Sequence, residues 1–347
     1  MPSFTAYEPS VLADLSRRIK PPQSFLSQMF KSRPQDFHTS RRLELQLQTG
    51  GGVAAPYCRV TSAAIPMAGY DVTTRDVVVP HIRVKRSLAA VDALYQGAGE
   101  GVQSFYTPTQ RAQMRLVEDM EILSNAIENA KEIQASQIVT TGKVVIKGHD
   151  IDAEIDYGRN PAHSFTLAGA TRWNQATGVP SADFKNATRL ISQNGLATCD
   201  MVIMGGDAFE AFISNPAVFK DLDNRRLDPG STPRTTLSPV EGARYQGRIY
   251  GLDIWVYEQT LRTVNTEGLL NPTSVALIPQ NMVVFMASLS DNRVHFAPVM
   301  EIDNCIAIDK FYKMVKHEDP SSRDLIMTSS PLMVPHNPDA FVAIQVY

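Results

Sequence analysis

Three cysteines in 347 residues, Cys58, Cys199 and Cys305, share neither a CxxC pair nor a regular spacing. That scarcity argues against a disulfide framework and a thiolate zinc site, so reduced, buried thiols are expected. Charge of one sign is lacking too. Thirty-three Lys and Arg stand against 36 Asp and Glu, a net charge of −3, whereas a dedicated nucleic-acid binder usually carries a clearly basic domain. No apolar run approaches the length of about 18 residues that a membrane-spanning helix needs. The opening MPSFTAYEPS lacks the basic and then apolar order of a secretory leader, and none is expected. GxSxG, HExxH, GxGxxG and the phosphate-loop frame are all missing. What remains is an ordinary globular composition, 43% hydrophobic and 20% charged. The length exceeds what one hydrophobic core normally serves, so two domains with extensions are expected.

The first 42 residues read as an arm. Pro21, Pro22 and Pro34 break its apolar pieces, and Phe25, Leu26 and Phe30 are expected to pack against a neighbouring subunit. Leu43, Leu45 and Leu47 then alternate into the glycines Gly50, Gly51 and Gly52. After them DVVVPHIRVKRSLA sets Val78, Ile82 and Val84 against His81, Arg83 and Lys85. Pro80 cannot donate to a ladder, which predicts an exposed edge. Residues 43–88 thus read as a two-stranded ribbon within an extended loop, 43–100. A lone ribbon is marginal in water, so another subunit is expected to supply its missing packing surface.

The clearest helix starts at YTPTQRAQ, with Thr107 as N-cap, Pro108 at N1 and Gln110 completing a capping box. Apolar residues recur from Val117 to about Val139, and Gly142 is expected to stop the helix. KVVIKGHDIDAEIDYG follows as two strands joined at Gly148. From residue 166 to 314 an α+β unit is expected, with a helix from Ser181 to Gly195, a strand at 201–206, a helix capped by Asp207, and strands within YQGRIYGLDIWVYE and NMVVFMA. The closing PLMVPHNPDAFVAIQVY alternates Val342, Ile344 and Val346 with Phe341, Ala343, Gln345 and Tyr347, which predicts a strand stitched into a sheet.

Chemistry is sparse. MGGDAF reads as a strand end, a glycine turn and a helix start, not a phosphate loop. Strand alternation would bring His295, Glu301, Asp303 and Cys305 to one side, but Pro298 breaks the register and no second His stands at ligand spacing. No catalytic residue, metal site or cofactor is expected.

The order of arm, ribbon, long helix, inserted α+β unit and return strand resembles the HK97-type fold of tailed-phage major capsid proteins. FLSQMF, EIQASQIVTTGKVVIKG, IDYGR with Trp173 downstream, YQGRIYGLDIWVY and SSPLMVPHNPDAFVAIQ resemble the lambda-type major capsid protein E family. The resemblance implies an arm (1–42), an extended loop (43–100), a peripheral domain with a spine helix (101–165), an axial domain (166–314), and a return to the peripheral domain (315–347) whose last strand completes that domain's sheet. It implies pentamers and hexamers in an icosahedral shell around double-stranded DNA, assembled in the host cytoplasm, with a separate scaffolding protein, a portal and a decoration protein as partners. Arg83, Lys85 and Arg86 are then candidates for pairing with a neighbour's Glu118 and Glu121. Gly50, Gly51, Gly52, Gly142 and Gly148 are candidate hinges, and Arg17, Arg18, Lys20 and Lys31 candidate DNA-facing groups. An encapsulin-like compartment is the rival of the same fold. A monomeric α+β enzyme using His295 is the rival of another class.

Overall fold

The computed structural model describes residues 24–49, 71–89, 107–148, 151–218, 242–264, 270–301, 306–319 and 321–347. Its longest element is helix α1 (Pro108–Thr141), about 50 Å at ~1.5 Å per residue. Both ends are as the sequence predicts. The Thr107 hydroxyl accepts from the Gln110 N–H while the Gln110 amide oxygen accepts from the Thr107 N–H. Gly142 closes the helix at φ 75°, and its N–H donates to the Ile138 carbonyl.

Two cores share this helix. Leu116, Met120, Leu123 and Ile127 on its first half bury against Tyr312, Leu325 and Met327. Those three belong to the antiparallel strands β14 (Phe311–His317) and β15 (Ser322–Ser329), which form a three-stranded sheet with β3 (Ile82–Ala89) in the order β14-β15-β3. Ala135, Ile138 and Val139 on its second half enter the larger core.

That larger core surrounds a six-stranded mixed sheet. Its strands are β6 (Ser164–Thr166), β17 (Phe341–Gln345), β12 (Met282–Met286), β7 (Met201–Met204), β9 (Leu252–Tyr257) and β8 (Ala243–Ile249), side by side in that order. Helices α2 (Pro180–Asn194) and α3 (Gly206–Ser214) give it Phe184, Ala187, Ile191, Ala208 and Phe212. The rings of Trp173, Phe184, Phe212 and Phe285 meet there at centroid distances between 4.9 and 6.1 Å. α3 starts at Gly206, one residue before the expected cap, so Asp207 lies in its first turn. Gly205 is required at the turn before it, because a Cβ there would stand 2.3 Å from the Pro279 carbonyl oxygen.

Two expectations are corrected. The sequence DVVVPHIRVKRSLA is not one strand of a ribbon. It divides at Pro80 into β2 (Asp71–Val78), which pairs with β1 (Arg42–Thr49), and β3, which pairs with β15. Only the β1–β2 part is a two-stranded ribbon; among the described residues β3 is an edge strand, but Pro80, on which an exposed edge was expected, lies between β2 and β3 and in neither ladder. The closing strand β17 does not complete the sheet beside the first half of α1. It runs antiparallel to β12 and parallel to β6 inside the six-stranded sheet, and Phe341–Ile344 are buried on both faces. Alternation marked the strand, but with both faces covered it could not say which sheet receives it.

Candidate assembly interface

Residues 25–27 of the arm are held by one carboxylate. Glu132, on the buried side of α1 and only 2% exposed, accepts from the backbone N–H groups of Phe25 (3.2 Å), Leu26 (2.8 Å) and Ser27 (2.8 Å). It also accepts from the Tyr257 hydroxyl at 2.8 Å. Burial, and then the Glu132 charge, push the Tyr257 phenol well above its ordinary range. Phe25 packs on Trp255 and Tyr257 at centroid distances of 5.1 and 5.4 Å, and Leu26 and Phe30 are buried in the same core. Phe25, Leu26 and Phe30, expected at a neighbouring subunit, are therefore anchors within the chain. Their apolar character called for cover without saying whose.

The basic strand β3 is likewise partnered at home. Arg83 faces Glu301 (3.7 Å), Lys85 faces Asp324 (3.3 Å) and Arg86 faces Asp119 on α1 (2.5 Å). Asp119, one residue from the expected Glu118, is the acid that α1 turns towards β3. Glu118 and Glu121 stay exposed on the outer face of the helix with Met114, Val117 and Ile122, apolar side chains that are 44%, 36% and 48% exposed. Within one chain, then, the three bases have acidic partners and Glu118 and Glu121 face outward.

Of the glycines, Gly142 is a packed cap. Arg159 lies across the end of α1, its guanidinium donating to the carbonyls of Val139 (2.9 Å) and Thr140 (2.6 Å) and to the Ser164 hydroxyl (2.8 Å). A Cβ on Gly142 would come within 2.9 Å of Arg159. Burial draws the Arg159 guanidinium down to about 10. Gly148 ends β4 (Lys143–Gly148), which pairs with β5 (Ile151–Asp156), and a Cβ there would meet nothing within 4 Å. Gly50, Gly51, Gly52, Arg17, Arg18 and Lys20 lie outside the described residues. Lys31 is exposed, and its backbone N–H donates to the Asn292 carbonyl.

His295 does not meet Glu301, one of the carboxylates suggested by alternation. Its strand, β13 (Asn292–Phe296), ends before Glu301, and Glu301 pairs with Lys313 and Arg83. Asp303 and Cys305 lie outside the described residues. His295 instead meets His38 at 2.8 Å and His336 at 3.3 Å. Among the described residues no group of three or more His, Cys, Asp or Glu side chains is arranged to hold a metal ion. Glu132 and this histidine line were invisible as such in the sequence, since each acts on groups far away along the chain, whereas Arg159 acts on groups 5 to 20 residues away that no local pattern marks.

Comparison with known proteins agrees with the architecture. The family model described as phage major capsid protein E matches residues 8–346. The chain is similar to the major capsid protein of Escherichia phage lambda, 22% identical over 283 residues that cover 79% of this chain and 80% of that protein. It is 23% identical to the major capsid protein of Enterobacteria phage P21, covering 92% and 93% of the two chains. Among solved structures it is similar to a prophage capsid protein of E. coli CFT073, with a TM-score of 0.70, 16% identity and coverage of 97% and 98%. A phage-related protein of Bordetella bronchiseptica RB50 superposes at a TM-score of 0.54 with 12% identity, covering 97% and 96%.

Proposed function

The chain belongs to the phage major capsid protein E family, and from that premise we propose that its copies assemble as pentamers and hexamers into an icosahedral shell enclosing double-stranded DNA. It is a structural protein of the virion, a tailed-phage major capsid protein with the HK97-type fold. Among the described residues no helix is long and apolar enough to cross a membrane. The observation that carries the proposal is the family match along nearly the whole length, residues 8–346, which takes in arm, ribbon, helix and both sheets.

Two features support contacts between copies. Among the described residues the β1–β2 ribbon pairs with no third strand, although an isolated pair of strands is marginal in water. The outer face of α1 exposes Met114, Val117 and Ile122 together with Glu118 and Glu121, a mixed apolar and acidic surface. Glu118 and Glu121 would meet basic groups of an adjacent copy other than Arg83, Lys85 and Arg86, which are paired within their own chain. The hinge role passes to Gly50, Gly51, Gly52 and Gly148, since Gly142 is locked beneath Arg159. Lys31 and the arm residues Arg17, Arg18 and Lys20 would face packaged DNA without sequence preference. A scaffolding protein, a portal and a decoration protein complete the proposed partners, and assembly takes place in the host cytoplasm.

Light-scattering mass and negative-stain imaging of the purified protein, alone and co-expressed with its genomic neighbours, test this reading. Rings of five or six subunits, or closed shells, are expected. A stable monomer or small dimer under both conditions would overturn it.

A further inference from the structure

We propose that the histidine line His38–His295–His336 is a two-proton latch that holds residues 31–38 of the arm against β13 and releases them on acidification. The segment is a strap along the strand. The Lys31 N–H donates to the Asn292 carbonyl, the Val294 N–H to the Lys31 carbonyl, and the His38 N–H to the Phe296 carbonyl. Phe37 stacks on Phe296 at 5.0 Å. At its end the His38 Nε2 lies 2.8 Å from His295 Nδ1, and His295 Nε2 lies 3.3 Å from His336 Nε2. The line opens on a hollow of about 550 Å³ that Arg42, Glu44 and Arg293 also border.

Donor counting makes the line proton-sensitive. A neutral imidazole has one N–H donor and one acceptor, and a protonated one has two donors. Three neutral rings can therefore make both hydrogen bonds of the line, and so can three rings sharing one extra proton. Two extra protons cannot be accommodated. Wherever they sit, two N–H groups point at each other across one of the two gaps, and two cationic rings repel each other.

The surroundings do not cancel this. Asp36, in the turn Pro34–Asp36, comes within 3.9 Å of His295 Nδ1 but is also engaged by Arg293 at 3.5 Å. Asp291 binds Arg293 and Arg33. Arg42 and Glu44 border the hollow from β1, and the Lys131 ammonium of α1 stands 5.3 Å from the Phe296 ring centre. Burial, as the largest cause, holds all three imidazoles below their ordinary value, and brings His295 down to about 4. Groups held low in the closed state take up protons on release. The latch therefore holds above about pH 6.5 and weakens as the pH falls from there towards about 4.

Hydrogen–deuterium exchange of the full-length protein between pH 7 and 4.5, corrected for intrinsic rates, tests the latch. The amides of Lys31, His38 and Val294 are expected to lose protection, by up to about 100-fold per pH unit for two protons, while α1 amides stay protected. In H38Q/H336Q each flanking amide can turn its carbonyl to a protonated His295, so the acid opening is lost. If that variant fails to fold, H336Q alone must open at lower pH, because the second proton then has to enter the buried His295. Wild-type protection unchanged to pH 4.5 would overturn the latch. So would equal pH profiles in wild type and variants, or simultaneous opening of α1.

Discussion

Replacing Glu132 with alanine removes four hydrogen bonds at once, to the N–H groups of Phe25, Leu26 and Ser27 and to the Tyr257 hydroxyl. Bonds to a charged acceptor are worth ~1.5–3 kcal/mol each, which puts the gross loss at about 6–12 kcal/mol. Removing the buried carboxylate also removes its desolvation penalty, several kcal/mol. The Tyr257 hydroxyl keeps Gln259 as a partner at 2.7 Å, but the Phe25 and Leu26 amides are left buried without an acceptor. The net expected loss is about 3–5 kcal/mol, at the upper end for a single substitution. E132Q keeps one oxygen for Phe25, Leu26 and Tyr257 while setting an NH₂ against the Ser27 N–H, and should lose about 2 kcal/mol. Urea unfolding followed by tryptophan fluorescence is the assay, because Phe25 packs 5.1 Å from Trp255. Exchange at amides 25–27 reports the local event. An E132A protein within about 1 kcal/mol of wild type, with amides 25–27 still protected, would refute the view that this carboxylate anchors the arm.

Arg159→Ala should cost about 2–3 kcal/mol by stripping buried carbonyls at the end of α1 of their donors, and Arg159→Lys should recover less than half, since a point charge cannot span two carbonyls; thermal unfolding decides. Gly142→Ala should lose about 1–2 kcal/mol, because the residue sits at φ 75° and its Cβ would meet Arg159; equal stability in denaturant titration would remove its role as a cap. Arg86→Ala, which breaks the pair with Asp119, should change stability by less than about 1 kcal/mol because the arginine is half exposed. A larger loss in the same titration would mean the pair is shielded from solvent in the assembled form.

Short-range features were legible in the sequence. The ends of α1 follow from Thr107, Pro108, Gln110 and Gly142, all acting within a few residues of their own position. The strand character of residues 341–345 followed from alternation, and the break between β2 and β3 falls at Pro80. Choices made across long separations were not legible. Glu132 meets residues more than 100 positions away, His38 and His295 lie 257 apart, and nothing local marks either pairing. Apolar residues state a need for burial but not the surface that meets it. Phe25, Leu26 and Phe30 turned inward, and β3 pairs with β15, more than 230 residues further along the chain.

The place of β17 bears on when the protein can fold. Its neighbours β12 and β6 are about 60 and 180 residues earlier in the chain, so until residues 341–345 have left the ribosome β12 keeps a bare, apolar edge and the core beneath it stays open. Non-local pairing of this kind is slow to form and exposed to mispairing. Nascent chains on one messenger would be open to premature association through that edge for as long as it takes to close.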